Sequence, residues 1–238
     1  MGDGFEPGDG IFVLSDAEKT AICLTGNEVE IVKPYFTTNE LFRYFAKRRN
    51  SYWVIYTNST FKNPSAMRPY PNIKKHLDTF KRVITSDNYP YGLHRSRAES
   101  FFTGGKIVSA RKCSEPTFTY TDFDCYVSQT FNVIKSDRVN LKFLTGLLNS
   151  SLIAFWLKHR GKMQGHQFQI DKEPLLEIPL VLPTGSQPAS IIALVDRILD
   201  TKKRDPEADT SALEAEIDRH VYALYGLTKE EIALVEAR

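Results

Sequence analysis

One stretch of the sequence carries far more positive than negative charge. Residues 43–112 contain fifteen Lys and Arg against three acidic residues, a local balance of +12, whereas the formal net charge of the 238-residue chain is only +2. Such a stretch repels itself unless a polyanion lies nearby, so it favours binding to nucleic acid or to an anionic surface. A solvated basic face beside an acidic one is the alternative interpretation.

Aromatic residues are interleaved with these positive charges. They do not recur on one amphipathic helical face, which a helix lying on a membrane surface would need. The pattern therefore favours nucleic acid over a membrane as the partner. Among the aromatic residues of the stretch are Tyr44, Tyr52, Trp53, Tyr56, Tyr70, Tyr89, Tyr91, Phe101 and Phe102.

The sequence shows no pattern typical of a catalytic or metal site. Gly104-Gly105-Lys106 lacks the spacing of a phosphate-binding loop, and no Gly-x-Gly-x-x-Gly follows a predicted strand. The three cysteines have no C-x-x-C spacing and the five histidines are scattered, which argues against a zinc site and a disulfide framework. We therefore predict a chain that binds without catalysing, with no catalytic residue, no metal ion and no cofactor of its own.

Two observations concern the cell compartment. No apolar run approaches the ~20 residues that a membrane helix needs. Residues 1–4 lack the charged start and the apolar stretch of a signal peptide. We therefore expect a cytoplasmic protein with no membrane partner.

Short strands are predicted throughout the first two thirds of the chain, including the basic stretch. The signal is a series of β-branched and aromatic runs bounded by Gly, Pro, Asn and Asp. Between these runs, residues 58–71 and 87–97 contain prolines that predict long loops. Loops of that length in a compact domain are usually functional or disordered. The predicted strands are residues 11–14, 21–24, 29–32, 52–56, 106–109 and 130–134.

After residue 134 the hydrophobic period changes to that of a helix. Residues 141–156 predict one long helix with a buried face, which starts behind Ser136-Asp137 and stops at Gly161. Residues 161–168 then predict a polar loop between this helix and an extended Ile-Pro segment.

Two later helices, joined by the charged turn at residues 202–209, predict an antiparallel hairpin that ends at Gly226. A capping box at residues 228–231 predicts a terminal helical turn. The predicted fold class is α+β, with a mixed, mainly antiparallel β domain that contains a long packed helix. We place this domain at residues 1–185 and a C-terminal helical hairpin, packed on it, at residues 186–238.

Four stretches, read in order, resemble the TaqI-like specificity domain. This is the target recognition domain that follows the catalytic domain in adenine-specific DNA methyltransferases and in fused restriction-modification enzymes. Residues 4–13 are similar to the family's G-x-x-T-G-x-x-x-x-F-x opening, with Pro7 where Thr is usual. The others resemble a basic-aromatic turn (91–108), the L-x-G-x-L-N-S helix with its Gly-Gln loop and Ile-Pro strand (144–150, 161–165, 176–180), and a helical ending (213–228).

The resemblance implies a larger parent enzyme. In the family, an upstream domain binds S-adenosylmethionine and methylates adenine N6 with an N-P-P-Y-type motif. That motif is missing here, and its nearest look-alike, residues 87–91, has a single proline. We therefore expect a DNA recognition domain of a restriction-modification enzyme, with no cofactor of its own and with S-adenosylmethionine bound upstream. Its expected partners are double-stranded DNA and the upstream methyltransferase domain.

Long polar side chains on the predicted loops are the candidate site residues. Arg pairs bidentately with guanine and Gln with adenine, whereas Lys and Arg also contact phosphates without reading sequence. The base-reading candidates are Arg68, Arg95, Arg97, Gln164 and Gln167, and an extended backbone would place Arg95 and Arg97 on the same side. The backbone-contact candidates are Lys62, Asn63, His94, Lys106, Arg111, Lys112, Lys162 and His166.

Alternatives stay open for these residues and for the chain. Each arginine could instead be a phosphate or surface contact, and the polar loop at residues 161–168 could pack on the catalytic domain. The chain itself could be a recognition domain like those of type I specificity subunits, or a protein-interaction module whose basic face docks an acidic partner.

Overall fold

The computed structural model describes residues 6–181 and 187–237. The chain divides into two compact units, each assembled from separate stretches of sequence. Gly4 and Phe5, which belong to the first motif stretch, and the predicted boundary between residues 185 and 186 lie outside the described residues. Unit 1 comprises the residues up to Glu40, Arg48–Thr103 and Phe123–Ser128; unit 2 comprises Leu41–Lys47, Gly104–Asp122 and the residues from Gln129 onwards.

Unit 1 contains a three-stranded antiparallel sheet. Its elements, in chain order, are β1 (Val13–Leu14), α1 (Asp16–Ala21), β2 (Val32–Tyr35), β3 (Tyr52–Ile55) and α2 (Pro71–Thr79). Strand β3 is the central strand, paired with β1 on one side and β2 on the other. The strand predicted for residues 52–56 is confirmed.

The strand predicted for residues 21–24 is wrong. Helix α1 begins with a capping box, in which the Ser15 hydroxyl accepts from Glu18 N–H and the Glu18 carboxylate accepts from Ser15 N–H. This pair satisfies two backbone donors at the start of a helix. The helix therefore runs to Ala21, and Cys23 has a φ of 56°, outside the strand region.

Of the strand predicted for residues 29–32, only the last residue, Val32, lies in a strand of the structure. Glu28 belongs to a second capping box, which starts the 3-10 helix Gly26–Ile31. The buried Glu28 carboxylate also accepts from two amides in the first turn of α2, Asn72 N–H at 2.6 Å and Ile73 N–H at 3.0 Å. Burial opposes ionisation, but these hydrogen bonds outweigh it and lower the pKa of Glu28.

Unit 2 contains two three-stranded antiparallel sheets. Their strands are β4 (Lys106–Ala110), β5 (Lys112–Cys113), β6 (Phe118–Thr121), β7 (Phe131–Ile134), β8 (Lys162–Gln164) and β9 (Gln167–Gln169). Strand β4 lies between β6 and β7 in the first sheet, and β9 lies between β5 and β8 in the second. The strands predicted for residues 106–109 and 130–134 are confirmed to within a residue.

The single long helix predicted after residue 136 is wrong, because the chain turns at Asn149 and Ser150. The buried Asn149 carboxamide accepts from Phe118 N–H at 3.0 Å and donates to Phe118 C=O at 2.7 Å. The Ser150 hydroxyl caps the next helix by accepting from Ile153 N–H. The helices of unit 2 are therefore α3 (Leu141–Leu148), α4 (Ser151–Arg160), α5 (Lys172–Leu176), α6 (Gln187–Arg204), α7 (Ser211–Tyr225) and α8 (Lys229–Glu236).

Helices α6 and α7 form the predicted helical hairpin, and both pack on α3. Gly146 lets α3 approach α6, because a Cβ there would lie 2.6 Å from a methyl carbon of Ile191 and 3.1 Å from one of Val195. The predicted helix end is confirmed at Gly226, whose φ is 67°, and the predicted capping box opens α8 at Thr228. These contacts give unit 2 one hydrophobic core that supports its sheets.

Candidate nucleic-acid interface

The second sheet of unit 2 presents long polar side chains on one face. Lys112 and Lys162 both pair with Gln169, and Gln164 pairs with Gln167. Directly paired residues, and residues two apart along a strand, point to the same side of an antiparallel sheet. We call this side the polar face, and its members are Lys112, Lys162, Gln164, Gln167 and Gln169.

Strands β8 and β9 form an exposed hairpin with a two-residue turn. Gly165 and His166 occupy the turn, and Gly165 has a φ of 61°, a left-handed conformation that favours glycine. The polar loop predicted for residues 161–168 is therefore wrong, since most of it is strand. The hairpin forms because Met163 and Phe168 alternate with polar neighbours, which suits a pair of strands with one side packed on the protein.

The opposite face of this sheet is apolar. Cys113 and Phe168 pack against the core of unit 2, and burial raises the pKa of the Cys113 thiol to about 11. Met163 and Phe168, together with Phe155 of α4, line a cleft of about 500 Å³. The apolar face of the sheet therefore packs on the rest of unit 2, and most of the polar face is exposed to solvent.

A carboxylate lies beside the polar face. Asp171 Oδ1 accepts from Arg111 Nη2 at 2.6 Å, Oδ2 accepts from Gln169 Nε2 at 2.9 Å, and Lys162 Nζ lies 3.8 Å from Oδ2. The Asp171 side chain is 12% exposed, against 46% for Arg111 and 74% for Lys162. The hydrogen bond from Arg111 is the main cause that lowers the pKa of Asp171. This carboxylate thus connects three donors at the edge of the interface.

Arg111 links the two sheets of unit 2, because it lies between β4 and β5. Its N–H donates to Thr130 C=O at 2.9 Å, and its C=O accepts from Ile170 N–H at 2.7 Å. The backbone is therefore fixed on both sides, while the side chain reaches Asp171 near the surface. Arg111 and its exposed neighbour Lys112 both stay candidates for phosphate contacts.

Lys106 does not reach the surface, where it was expected to contact a phosphate. Its side chain is buried within β4, and its ammonium group donates to Gly104 C=O at 2.9 Å. An ammonium group held inside the protein cannot reach a phosphate unless the strand opens. No local signal predicts this burial, because a lysine that begins a strand is usually exposed.

In unit 1, residues 58–71 form a loop with two short 3-10 helices. Lys62 and Arg68 are exposed on it. Asn63 has a structural role, because its side-chain oxygen accepts from Ser65 N–H at 3.0 Å and caps the second of these helices. Capping occupies the oxygen that Asn would use towards a base, so Lys62 and Arg68 are the stronger candidates here.

The second loop of unit 1 is held by Tyr56, whose hydroxyl donates to Arg97 C=O at 2.6 Å and accepts from Arg97 N–H at 2.9 Å. Arg95 is exposed and has a φ of 50°, so the backbone there is left-handed. The prediction that an extended backbone places Arg95 and Arg97 on the same side is wrong, because the backbone at Arg95 is not extended. His94 Nδ1 lies 3.3 Å from the Asp87 carboxylate.

The structure thus brings together only some of the predicted site residues. Within unit 2, Lys112, Lys162, Gln164 and Gln167 share the polar face, with His166 in its turn. The six candidates of unit 1 lie on its two loops and are Lys62, Asn63, Arg68, His94, Arg95 and Arg97.

The described residues, 6–181 and 187–237, contain no candidate metal site or membrane span. No group of three or more His, Cys, Asp or Glu in these ranges could hold a metal ion. Over the same described residues, no helix has both the length and the apolar character needed to cross a membrane.

Comparison with known families identifies the chain. The sequence model described as the TaqI-like C-terminal specificity domain matches residues 33–180, which is more than half of the sequence. The chain belongs to this family. The match begins in β2 and ends after α5, so it includes the whole polar face of the specificity domain.

A solved structure shares the fold of this specificity domain. It is described as "Structure of Type IIL restriction-modification enzyme MmeI in complex with DNA has implications for engineering of new specificities". The TM-score is 0.70 and the sequence identity 16%, over 94% of this chain and 32% of that one. The chain therefore spans about a third of the length of that protein. None of the curated proteins matches the chain.

The motifs of the specificity domain have structural explanations. In the L-x-G-x-L-N-S stretch, Gly146 allows helix contact, and Asn149 and Ser150 end one helix and start the next. The Gly-Gln stretch at residues 161–165 forms β8 and half of its turn. In the Ile-Pro stretch, Ile178 is buried in the core of unit 2. These motifs therefore shape the helices of unit 2 and the β8–β9 hairpin.

Sequence reasoning missed Gln169 and Asp171 as members of the site. A signal was present, because Gln167-Phe168-Gln169-Ile170-Asp171 alternates polar and apolar residues over five positions. Such alternation predicts a half-buried strand and would have placed both residues on the side of Gln167. The pairing with Lys112 had no comparable signal, since Lys112 lies 57 residues before Gln169 in the chain.

Proposed function

We propose that this specificity domain recognises a base sequence in duplex DNA by placing its polar face in the major groove. The observation that carries the proposal is the polar face itself, an exposed hairpin with only Lys and Gln on one side. A two-stranded β-ribbon fits the major groove, where each base pair presents a distinct pattern of donors and acceptors.

The two side-chain types on the polar face have different tasks in this proposal. The carboxamides of Gln164 and Gln167 match the bidentate pattern of an adenine edge. Lys112 and Lys162 supply positive charge towards phosphates, which sets the position of the domain on the duplex without reading sequence. The basic residues of unit 1, including Arg68 and Arg95, add further phosphate or guanine contacts.

The parent enzyme in this proposal is an adenine-specific DNA methyltransferase of a restriction-modification system. Its upstream domain binds S-adenosylmethionine and takes the target adenine out of the stack, while the specificity domain holds the duplex. The fold match supports the restriction-modification and DNA-binding parts of this proposal, because the matched structure is described as a restriction-modification enzyme in complex with DNA. The missing N-P-P-Y-type motif is consistent with a chain that recognises DNA and leaves methyl transfer to the upstream domain.

The test is the salt dependence of duplex binding by the 238-residue chain. If about five phosphates are neutralised, the slope of log affinity against log salt concentration should be about −4 to −5. A mixed-sequence duplex with a fluorescent label is the probe. A slope near zero would contradict the proposal and would favour a protein-interaction module instead.

Paired variants locate the contact. Replacing both Lys112 and Lys162 by alanine should reduce the slope by about 2, because each lysine displaces about one counterion. The matched control replaces Lys203 and Arg204, two exposed residues at the end of α6. If the control reduces the slope as much as the double variant of the polar face does, the DNA lies elsewhere on the protein.

A further inference from the structure

Asp171 stands at the residue before α5, where a carboxylate usually caps the helix by accepting from its first amides. Its backbone is extended there, with φ −82° and ψ 169°, yet its side chain makes no capping hydrogen bond to α5. The carboxylate is instead bound by Arg111 and Gln169. The Asp171 carboxylate therefore contacts residues of the interface and does not cap the helix.

Each carboxylate oxygen of Asp171 serves a different element. Oδ1 accepts from Arg111, which lies between β4 and β5, and Oδ2 accepts from Gln169 of β9. Lys162 of β8 approaches the same Oδ2. One largely buried carboxylate thus contacts side chains of β8 and β9 and of the residue that precedes β5.

An acidic group is unexpected beside a surface that meets phosphates, because its charge weakens binding to any DNA sequence. A group that costs affinity on all sequences requires a compensating effect. Ordering long side chains during binding is unfavourable, and side chains that are already ordered avoid that loss. The contacts of Asp171 provide such order before the duplex arrives.

We propose that Asp171 is a positioning residue, which fixes the Arg111 and Gln169 side chains in the orientation that meets the duplex, Arg111 towards a phosphate and Gln169 towards a base. This inference rests on the proposed function. It predicts that Asp171 decreases affinity for DNA in general and increases selectivity between sequences. If Asp171 were needed only for folding, its replacement would not raise the general affinity for DNA while lowering the selectivity between sequences.

The variant Asp171→Asn removes the charge and keeps the size of the side chain. Wild type and variant are each equilibrated, as the 238-residue chain, with a duplex library randomised over twelve base pairs, and the bound fraction is sequenced. The variant should bind the unselected library more tightly than wild type. Its enrichment of preferred bases should fall by roughly two- to tenfold at one or two positions, the effect of losing one or two ordered side chains.

The control Asp196→Asn makes the same change to a carboxylate that pairs with Lys142 of α3, away from the sheet. It should leave the enrichment profile unchanged. Nuclear magnetic resonance of the Arg111 guanidinium group supplies a readout without DNA. The Nε–H signal should show an ordered Arg111 side chain in wild type and in Asp196→Asn. In Asp171→Asn it should show a side chain that averages between conformations.

The outcomes separate the two proposals. If wild type selects sequences and Asp171→Asn selects them equally well, or if the Arg111 signal stays ordered, the positioning role is wrong and the proposed function stands. If Asp171→Asn weakens binding to every sequence alike, Asp171 is only structural and the inference is overturned. A wild-type chain that binds no duplex would overturn the proposed function and this inference with it.

Discussion

Replacing Gln164 or Gln167 by alanine should relax the selectivity of duplex binding at A·T base pairs. The two residues face each other across the hairpin, next to its turn. Side chains at directly opposite positions start about 5 Å apart, which is close to the spacing of stacked base pairs at about 3.4 Å. The two carboxamides can therefore reach two neighbouring base pairs.

The magnitude follows from the contacts that each alanine removes. A bidentate carboxamide contact discriminates against the wrong base by about 1–3 kcal/mol. Its loss should reduce selectivity at the affected base pair by about 5- to 150-fold, since each 1.4 kcal/mol corresponds to a factor of ten. Selectivity at the other base pairs should stay within about twofold, because distant contacts are nearly additive.

The assay measures Kd for the preferred duplex, found by library selection, and for every single-base variant of it. The matched control is Gln129→Ala, which removes the same carboxamide from an exposed residue of unit 2 outside the sheet. Uniformly weaker binding to all duplexes by Gln164→Ala and Gln167→Ala, with unchanged selectivity, would refute the reasoning. Base reading would then belong to the loops of unit 1, where Arg68 and Arg95 are exposed.

Three further predictions concern the fold that supports the polar face. Gly146→Ala should lower the free energy of unfolding by about 1–3 kcal/mol in urea titrations, because its Cβ would overlap Ile191; an unchanged or higher value would contradict the close helix contact. Asn149→Ala should lower it by about 2–4 kcal/mol, because both backbone groups of Phe118 lose their buried partner; a loss below 1 kcal/mol would argue against that pairing. Glu28→Gln should destabilise most at neutral pH. Because folding lowers the pKa of Glu28, its stabilisation is present above the ordinary glutamate value and disappears as the pH falls through the folded one. Unfolding measured at several pH values should therefore show the difference from wild type shrinking in acid, and a constant difference would contradict the pKa shift.

Local sequence signals predicted much of the architecture. The β-branched runs at residues 52–56 and 106–109 became strands, and the helical spacing after Ser190 became the hairpin of α6 and α7. The end of α7 at Gly226 and the capping box of α8 were also predictable, because each depends on residues within one turn. These features need no information from distant parts of the chain.

Features that depend on distant partners were not predictable. The break between α3 and α4 requires Asn149 to meet Phe118, which lies 31 residues earlier. The burial of Lys106, whose strand pairs with β6 and β7, also has no local signal in the sequence. Unit 1 includes residues 123–128, which follow a stretch of unit 2, and nothing in the local composition marks this exchange.

The same limit applies to the candidate site. Residue types alone indicated Lys112, Lys162, Gln164 and Gln167, but pairing between β5 and β9 was needed to place them on one face. Lys106 has the same residue type as Lys112 and lies in the same basic stretch, yet it is buried. Charge and composition therefore indicated the kind of partner, and strand register decided which residues face it.

Glutamine side-chain resonances offer the most direct test of the central claim that the polar face meets the duplex. The sequence contains five glutamines, and three of them, Gln164, Gln167 and Gln169, lie in the hairpin strands. In the chain labelled with 15N-glutamine, addition of the selected duplex should shift the carboxamide signals of Gln164 and Gln167. The signal of the exposed Gln129 should stay in place. A duplex that binds while the signals of Gln164 and Gln167 do not move would contradict the account.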